Sequence, residues 1–289
     1  MKKNIAFILL ACITILASCN SKQQSKEQSL INDKTRIVSL NGSITEVLCR
    51  LGLENKIVGT DVTSTYPDSV AKLPKVGHNR DVSTETLLSL NPTLVIGLDD
   101  NIKPELKQQL ASAHIQLLLF HLDHSIAGAK KLVTDIADSL GYANNAAPIN
   151  QEIDKDTTGI VKPATAPKVL FIYARGTSTL MVAGKDNAVN SMIELAGGQN
   201  AIQEFNDYKP LTAEAVIAAN PDVILMFDKG LESLGGINGL LQVPGVAQTN
   251  AGKNKKVIEM DGQYLTGFSP RVGKAVAELS KKINEAAKP

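Results

Sequence analysis

Two stretches of the chain carry the same order of polar cap, short amphipathic segment and continuous apolar run. Ser83-Thr-Glu-Thr-Leu-Leu-Ser-Leu-Asn-Pro92-Thr-Leu-Val-Ile-Gly97 lies over Thr212-Ala-Glu-Ala-Val-Ile-Ala-Ala-Asn-Pro221-Asp-Val-Ile-Leu-Met226 at a constant offset of 129 positions, Glu85 over Glu214 and Pro92 over Pro221. Each copy predicts a small helix opened by a Ser or Thr cap, stopped at Asn-Pro, and followed by a buried strand. An earlier echo has the same order. The apolar run Ile37–Leu40 precedes a helix ending at Leu51-Gly52, and Val169–Tyr173 precedes one ending at Ala196-Gly197-Gly198. Two matches in register predict an internal duplication: an α/β fold of two similar Rossmann-like lobes, residues 35–124 and 163–289. Between them, Ile126, Ala129, Leu132, Val133, Ile136 and Leu140 recur at helical spacing. Residues 125–162 therefore read as a long helical connector, with Gly141 as a candidate interruption. Two lobes on a helical spine leave a cleft between facing loops, a standard place for a ligand.

The ends and the composition refine this picture. Met1-Lys2-Lys3 and the apolar run Ile5–Ala17 predict a signal peptide over 1–18, too short to span a bilayer as a mature helix. It closes on Leu16-Ala17-Ser18-Cys19, which resembles the bacterial lipobox. That resemblance implies cleavage before Cys19, lipidation of Cys19 and attachment of the protein to a membrane, facing the periplasm. Residues 19–34 are rich in Ser, Gln and Lys and read as a flexible tether. Of three cysteines, Cys12 leaves with the signal and Cys19 is lipidated. Cys49, in the apolar run Val47-Leu48-Cys49, is then a small core residue, and no disulfide framework is available. A net charge of +1 without a basic stripe argues against nucleic acid as a partner. A Gly-rich phosphate loop, a nucleophile elbow and a carboxylate pair beside a base are all missing, so no enzyme is expected.

Candidate chemistry gathers in loops that follow strands. In open α/β sheets such loops, beyond the carboxyl ends, carry ligand sites. After the strand Lys56–Gly59 comes Thr-Asp-Val-Thr-Ser-Thr-Tyr66-Pro67, and twelve positions after Tyr66 comes His78. A phenol and an imidazole can both bind iron. A tyrosine beside a proline is equally at home as a packed ring with a wet hydroxyl. His121 and His124 follow the strand Ile115–Phe120 at a His-x-x-His spacing that two residues alone do not make into a zinc site. In the second lobe Arg175, Tyr208, Lys209 and Lys229 occupy loops after apolar runs. They could hold carboxylates or simply face solvent.

Several of these runs, in this order, resemble the substrate-binding proteins of ABC importers with a single helical spine, the group serving vitamin B12, siderophores and heme. The hemin-binding members of the HmuT and ShuT type are the nearest in pattern. The runs are Gly59-Thr-Asp-Val-Thr-Ser-Thr-Tyr66-Pro67, Leu73-Pro-Lys-Val-Gly77, Leu211-Thr-Ala-Glu214, Gly230-Leu-Glu-Ser-Leu-Gly-Gly236 and Gly267-Phe-Ser-Pro-Arg271, and the similarity spans about residues 35–284. The resemblance implies heme as the transported ligand, with Tyr66 as the iron ligand. It makes His78, Arg80, Arg175, Tyr208, Lys209 and Lys229 candidate heme contacts. His78 departs from the pattern, where a tyrosine commonly follows Val-Gly, and Arg175 stands where some relatives carry a histidine. Glu85 and Glu214 match acids that dock a permease dimer powered by its ATPase; each is also a first-turn carboxylate that a helix dipole favours. Cobalamin and ferric siderophores are the alternative cargoes. Cobalamin clefts in this group tend to be rich in Trp, which this chain lacks, and siderophore sites use several arginines, for which Arg80, Arg175 and Arg271 are the candidates.

Overall fold

The computed structural model describes residues 30–288. The expected signal peptide, Cys19 and the tether as far as residue 29 lie outside the described residues. In chain order the first half contributes β1 (Ile37–Ser39), β2 (Ile57–Thr60), β3 (Gly77–His78), β4 (Asp81–Val82), β5 (Leu94–Leu98) and β6 (Gln116–Phe120). The second half contributes β7 (Lys168–Ala174), β8 (Leu180–Ala183), β9 (Gln199–Asn200), β10 (Tyr208–Pro210), β11 (Val223–Phe227) and β12 (Val257–Met260). They form a parallel sheet in the order β2-β1-β5-β6 and a mixed sheet in the order β10-β8-β7-β11-β12, with β9 also on β7. β3 and β4 make a separate small hairpin.

The duplication is present in the pairing. β1 runs parallel to β5 with Ile37 opposite Leu94, and β7 runs parallel to β11 with Val169 opposite Val223. Both expected caps form. Ser83 Oγ accepts the Thr86 N–H at 3.3 Å, and Thr212 Oγ1 accepts the Ala215 N–H at 3.2 Å. Asn91 and Asn220 take left-handed φ values of 47° and 37°, a region asparagine enters more readily than most residues. The copies differ at one flank, where β2 is parallel to β1 but β8 is antiparallel to β7.

The connector is two helices, Ile126–Leu140 and Ala143–Thr157. Ser125 caps the first by accepting the Gly128 N–H at 2.9 Å, and Gly141, at φ 81°, ends it in the left-handed conformation that glycine adopts without steric cost. The chain then turns back on itself. Lys130 pairs with Asp154 at 2.7 Å and Asn150 Nδ2 donates to Thr134 Oγ1 at 3.1 Å, which sets the two helices antiparallel. The interruption at Gly141 is thus a reversal, and the spine is a helical hairpin.

Burial explains why the two sheets behave as one body. One apolar cluster runs from Ile37 and Ile96 of the first sheet through Leu132, Ile136 and Ile149 of the connector to Phe171, Leu225 and Leu279 of the second half. Each sheet has a separate cluster on its other face, around Val95 and Leu110 and around Ile172 and Val216. Leu30 and Ile31 already pack against the shared cluster, so the packed body starts before residue 35. Because the shared core contains residues of both halves, urea unfolding followed by circular dichroism should show one transition. Phe171→Ala should shift it by about 3–5 kcal/mol without splitting it. Two separate transitions in the parent protein would contradict a shared core.

A charge cluster ties the same parts together on the outside. Glu152, on the second connector helix, accepts from Arg50 of the helix Gly42–Arg50 and from Lys274 of the helix Val272–Ala286, the latter at 2.9 Å. The hydrogen bond from Arg50, then that from Lys274, holds the Glu152 carboxyl down to about 2 from its ordinary 4.5. Its stabilising contribution is therefore present above pH 4.5 and disappears as pH falls through 2. Glu152→Gln should be less stable than the parent at neutral pH, with the gap closing by pH 2; a gap of equal size at both would refute this coupling. Among the described residues no helix is long and apolar enough to cross a membrane.

Candidate ligand cleft

The loop after β2 is built from within before it touches anything else. Asp61 is fully buried, its N–H donates to Ser39 O at 3.1 Å, and its carboxylate accepts from Thr63 N at 3.1 Å, from Ser64 Oγ at 2.6 Å and from Thr63 Oγ1. Thr45 Oγ1 bonds Ser64 Oγ at 2.9 Å and donates to Ser39 Oγ at 2.8 Å. Lys75 Nζ closes the loop from outside, donating to Thr60 Oγ1 and Ser64 O, each at 2.7 Å. Burial pulls the Lys75 ammonium down while the Asp61 charge opposes that shift. A buried carboxylate with this many partners holds a polar loop in one conformation. The loop therefore presents Val62 and Tyr66, 47% and 44% exposed, as fixed apolar surfaces rather than as a mobile tip.

Tyr66 is then gripped from the other lobe. Gln263, on the helix Gly262–Thr266 beyond β12, places Oε1 2.6 Å from Thr65 N, 2.9 Å from Thr65 Oγ1 and 3.1 Å from Tyr66 N. Its Nε2 donates to Gly42 O at 3.1 Å and Glu46 Oε1 at 2.7 Å. A Cβ at Gly42 would stand 2.7 Å from Gln263 Cδ, so the glycine lets the Gln263 side chain lie against this helix. The guanidinium carbon of Arg271 lies 3.7 Å from the Tyr66 ring centroid and 4.9 Å from that of Tyr264. Arg271 is anchored by a two-pronged bond to Glu46, Nε to Oε2 at 2.8 Å and a terminal nitrogen to Oε1 at 2.7 Å. Ser269 Oγ adds a fourth donor at 2.9 Å to this carboxylate, whose side chain is 2% exposed. Ser43 Oγ also donates to Gly267 O across the seam.

Beyond this seam the second lobe holds an aromatic cluster around the buried Phe171. Phe171 stacks edge-on with Phe227 at 4.9 Å and with Tyr208 at 6.3 Å, and Tyr173 meets Phe227 at 6.2 Å. Phe227 lies against Gly262, the first residue of the helix that carries Gln263 and Tyr264. Tyr173 and Phe227 sit at the carboxyl ends of the parallel strands β7 and β11, as the loop of Tyr66 follows the carboxyl end of β2. Burial pushes the Tyr208 phenol up to about 12, Asp207 adds to this and Arg80 of the first lobe opposes it.

The remaining candidates fall around this frame. His78 is exposed on β3, next to Gly77, whose carbonyl accepts the Val62 N–H at 2.9 Å. It lies beside the Tyr66 loop, and its Nδ1 accepts from Arg80 N at 3.3 Å. Arg80 Nε donates to Asn101 Oδ1 at 3.3 Å. Arg175 is exposed in the turn between β7 and β8; the next residue, Gly176, donates its N–H to Ser233 Oγ at 3.0 Å, which brings that turn beside the helix carrying Lys229. Lys229 is taken up by Glu232 at 2.8 Å, and Lys209 lies over the Phe205 ring at 4.6 Å. Glu85 and Glu214 are exposed in the first turns of the helices Thr84–Ser89 and Ala213–Ala219, without an ion pair or side-chain hydrogen bond. The His-x-x-His pair diverges. His121 is ringed by Asp123 at 3.2 Å, Asp99 at 3.4 Å and Asp100 at 3.8 Å, with the Asp99 hydrogen bond foremost in raising its pKa, whereas His124 packs on Phe268 at 5.3 Å and burial lowers its pKa. Cys49 is partly buried, and burial pushes its thiol up to about 12, which makes it inert.

Glu46 and Gln263 carry the seam and were not singled out from the sequence; Arg271 was noted only as a cleft arginine. The available signal was a carboxylate inside the apolar run Ile44-Thr45-Glu46-Val47-Leu48, a placement that requires a partner.

Two α/β halves joined by a helical hairpin are the architecture of extracytoplasmic binding proteins, and residues 37–264 match the family described as periplasmic binding protein. The chain belongs to that family. Among solved structures in it, the periplasmic heme-binding protein RhuT from Roseiflexus sp. RS-1, in apo form, is 40% identical with a TM-score of 0.83, over 88% of this chain and 99% of that one. The uncharacterized ABC transporter substrate-binding lipoprotein YvrC of Bacillus subtilis is 27% identical over 266 residues, 90% of this chain and 83% of that protein. A cobalamin-binding protein of Halobacterium salinarum is 23% identical over 269 residues, 89% of this chain and 71% of that protein. The family is one of ligand binding for transport rather than of catalysis.

Proposed function

We propose that this periplasmic binding protein captures heme in the interlobe cleft and delivers it to an ABC permease dimer energised by its ATPase partner. The observation that carries the reading is the presentation of Tyr66. Its phenol stands half-exposed beyond the carboxyl end of β2, on a loop fixed by buried Asp61, with the Arg271 guanidinium over its ring. A tyrosinate is a hard anionic donor suited to ferric iron, and apolar walls suit the faces of a porphyrin. The likeness to RhuT supports heme as the cargo. His78, Arg80, Arg175, Tyr208, Lys209 and Lys229 are candidate partners for the propionates and the porphyrin rim. Lys209 and Lys229 would have to leave Phe205 and Glu232 to serve. Cys19, as the lipidated residue, would hold the body at the membrane on its periplasmic side. Titration of the protein lacking residues 1–19 with hemin tests the cargo. A saturable ferric spectrum with tyrosinate charge-transfer bands is the expected result, and the absence of saturable binding would reject heme.

Cobalamin is the second reading, favoured by the relative in Halobacterium salinarum. The same titration with cobalamin separates the two, because only one should saturate at micromolar protein.

Glu85 and Glu214 carry the docking part of the proposal. They are related by the repeat, exposed and free of competing partners. Reversing both to Lys should leave hemin affinity within about twofold, since neither touches the cleft residues, yet abolish uptake by vesicles holding the permease. Uptake that survives both reversals would place docking elsewhere.

A further inference from the structure

We propose that Arg271 and Gln263, carried by the carboxy-terminal lobe, are positioning residues for Tyr66, so that the iron ligand is assembled only where both lobes meet. The inference rests on Tyr66 as the iron ligand and goes beyond it. Tyr66 belongs to the first lobe, but the charge over its ring and the acceptor on its backbone N–H both come from the second. The Arg271 guanidinium lies 3.7 Å from the ring centroid, and Gln263 Oε1 accepts from Thr65 N and Tyr66 N at 2.6 and 3.1 Å.

Neither group is free to be elsewhere. Arg271 is clamped by the Glu46 carboxylate on the helix Gly42–Arg50, at 2.7 and 2.8 Å. Gln263 is held by the same carboxylate and by Gly42 O. Contacts therefore run from Glu46 in the first lobe, through Arg271 and Gln263 in the second, back to Tyr66 in the first. A motion that parts the lobes takes both supports from Tyr66 at once.

The chemistry gives this arrangement a role. To ligate ferric iron the phenol gives its proton to solvent, and the oxygen keeps the electron pair that forms the iron–oxygen bond. The resulting anion would lie against a fixed cation in a half-buried seam, where attraction is stronger than in water. Gln263 contributes geometry rather than charge, because it fixes the peptide that carries the ring. An exposed tyrosine needs neither device for stability. The bidentate Arg–Glu pair turns its open face onto the phenol.

The test compares the parent, Tyr66→Ala, Arg271→Gln, Arg271→Lys and Gln263→Ala, each lacking residues 1–19 and loaded with ferric hemin. The readouts are the tyrosinate charge-transfer band, the pH at which acid strips the ligand, and the rate of hemin transfer to apomyoglobin. Loss of the cation should raise the pH of acid stripping, shift the band and speed transfer by about tenfold. Arg271→Lys should restore the stripping pH in part, since the charge returns without the planar face. Gln263→Ala should broaden or shift the band with the Arg271–Glu46 pair intact, and it serves if Arg271→Gln fails to fold. A merely structural role for Arg271 would lower stability and leave band and stripping pH unchanged in the folded fraction, which would overturn the inference. If the parent lacks the tyrosinate band, or Tyr66→Ala keeps it, the reading of Tyr66 itself fails. If Tyr66→Ala loses the band while the Arg271 and Gln263 variants match the parent, only the present inference fails.

Discussion

Tyr66→Ala is expected to weaken hemin binding by at least about 100-fold and to erase the tyrosinate charge-transfer bands. The magnitude follows from the fact that losing even an outer-shell partner of a metal ligand costs about 10–100-fold in affinity. Removing the ligating oxygen should cost more. Tyr66→Phe sharpens the test, because it keeps the ring under Arg271 and deletes only the donor atom. Since Tyr66 is 44% exposed, both variants should fold with nearly parental stability, and circular dichroism with urea unfolding would show it. Spectra of Tyr66→Phe indistinguishable from the parent would move iron ligation to another residue, with His78 beside the same loop the first to test.

The second large effect concerns stability. Glu46→Ala should cost about 3–5 kcal/mol, the range for removing one member of a buried pair and leaving its partner uncompensated. Four donors point at this carboxylate: Arg271 Nε, a terminal Arg271 nitrogen, Ser269 Oγ and Gln263 Nε2. All four would lose this acceptor together, and only Gln263 Nε2 keeps another, Gly42 O. The contrast is with exposed pairs such as Lys229–Glu232, whose removal should leave stability nearly unchanged. Urea unfolding of Glu46→Ala beside Glu232→Ala measures the difference. A cost below about 1 kcal/mol for Glu46→Ala would mean that water reaches the seam and relieves Arg271.

The seam also bears on delivery. If docking through Glu85 and Glu214 parts the lobes, the contacts of Arg271 and Gln263 with Glu46 and Tyr66 are among those stretched. The shared core and the helical hairpin resist that motion, because each carries apolar surface from both halves. Small separations at the seam are therefore the natural way to loosen a ligand without unfolding the body.

How far the chain alone leads can be judged element by element. The duplication was readable because capping, Asn-Pro termination and apolar strands are local rules, and they repeat at a fixed interval. Ser83 and Thr212 cap as expected, and Asn91 and Asn220 close their helices in the same unusual conformation. The periodic face from Ile126 to Leu140 was readable for the same reason. Gly141 was visible as a break, but whether a glycine bends a rod or reverses it depends on what each helix packs against. Tyr66 was placed by its loop and by resemblance. What grips it was not readable, since Gln263 lies 198 positions from Thr65 and Arg271 lies 225 from Glu46. Likewise, Lys229 looked available for a carboxylate until Glu232, one helical turn away, was seen to hold it.

Local order, lobe count and the loops that face the cleft thus follow from residue patterns, because hydrophobic period and cap chemistry act over a few positions. The seam follows from nothing local. A buried carboxylate must find its donors wherever the fold brings them, and only the packing of the last helices onto the first set Arg271 and Gln263 against Tyr66.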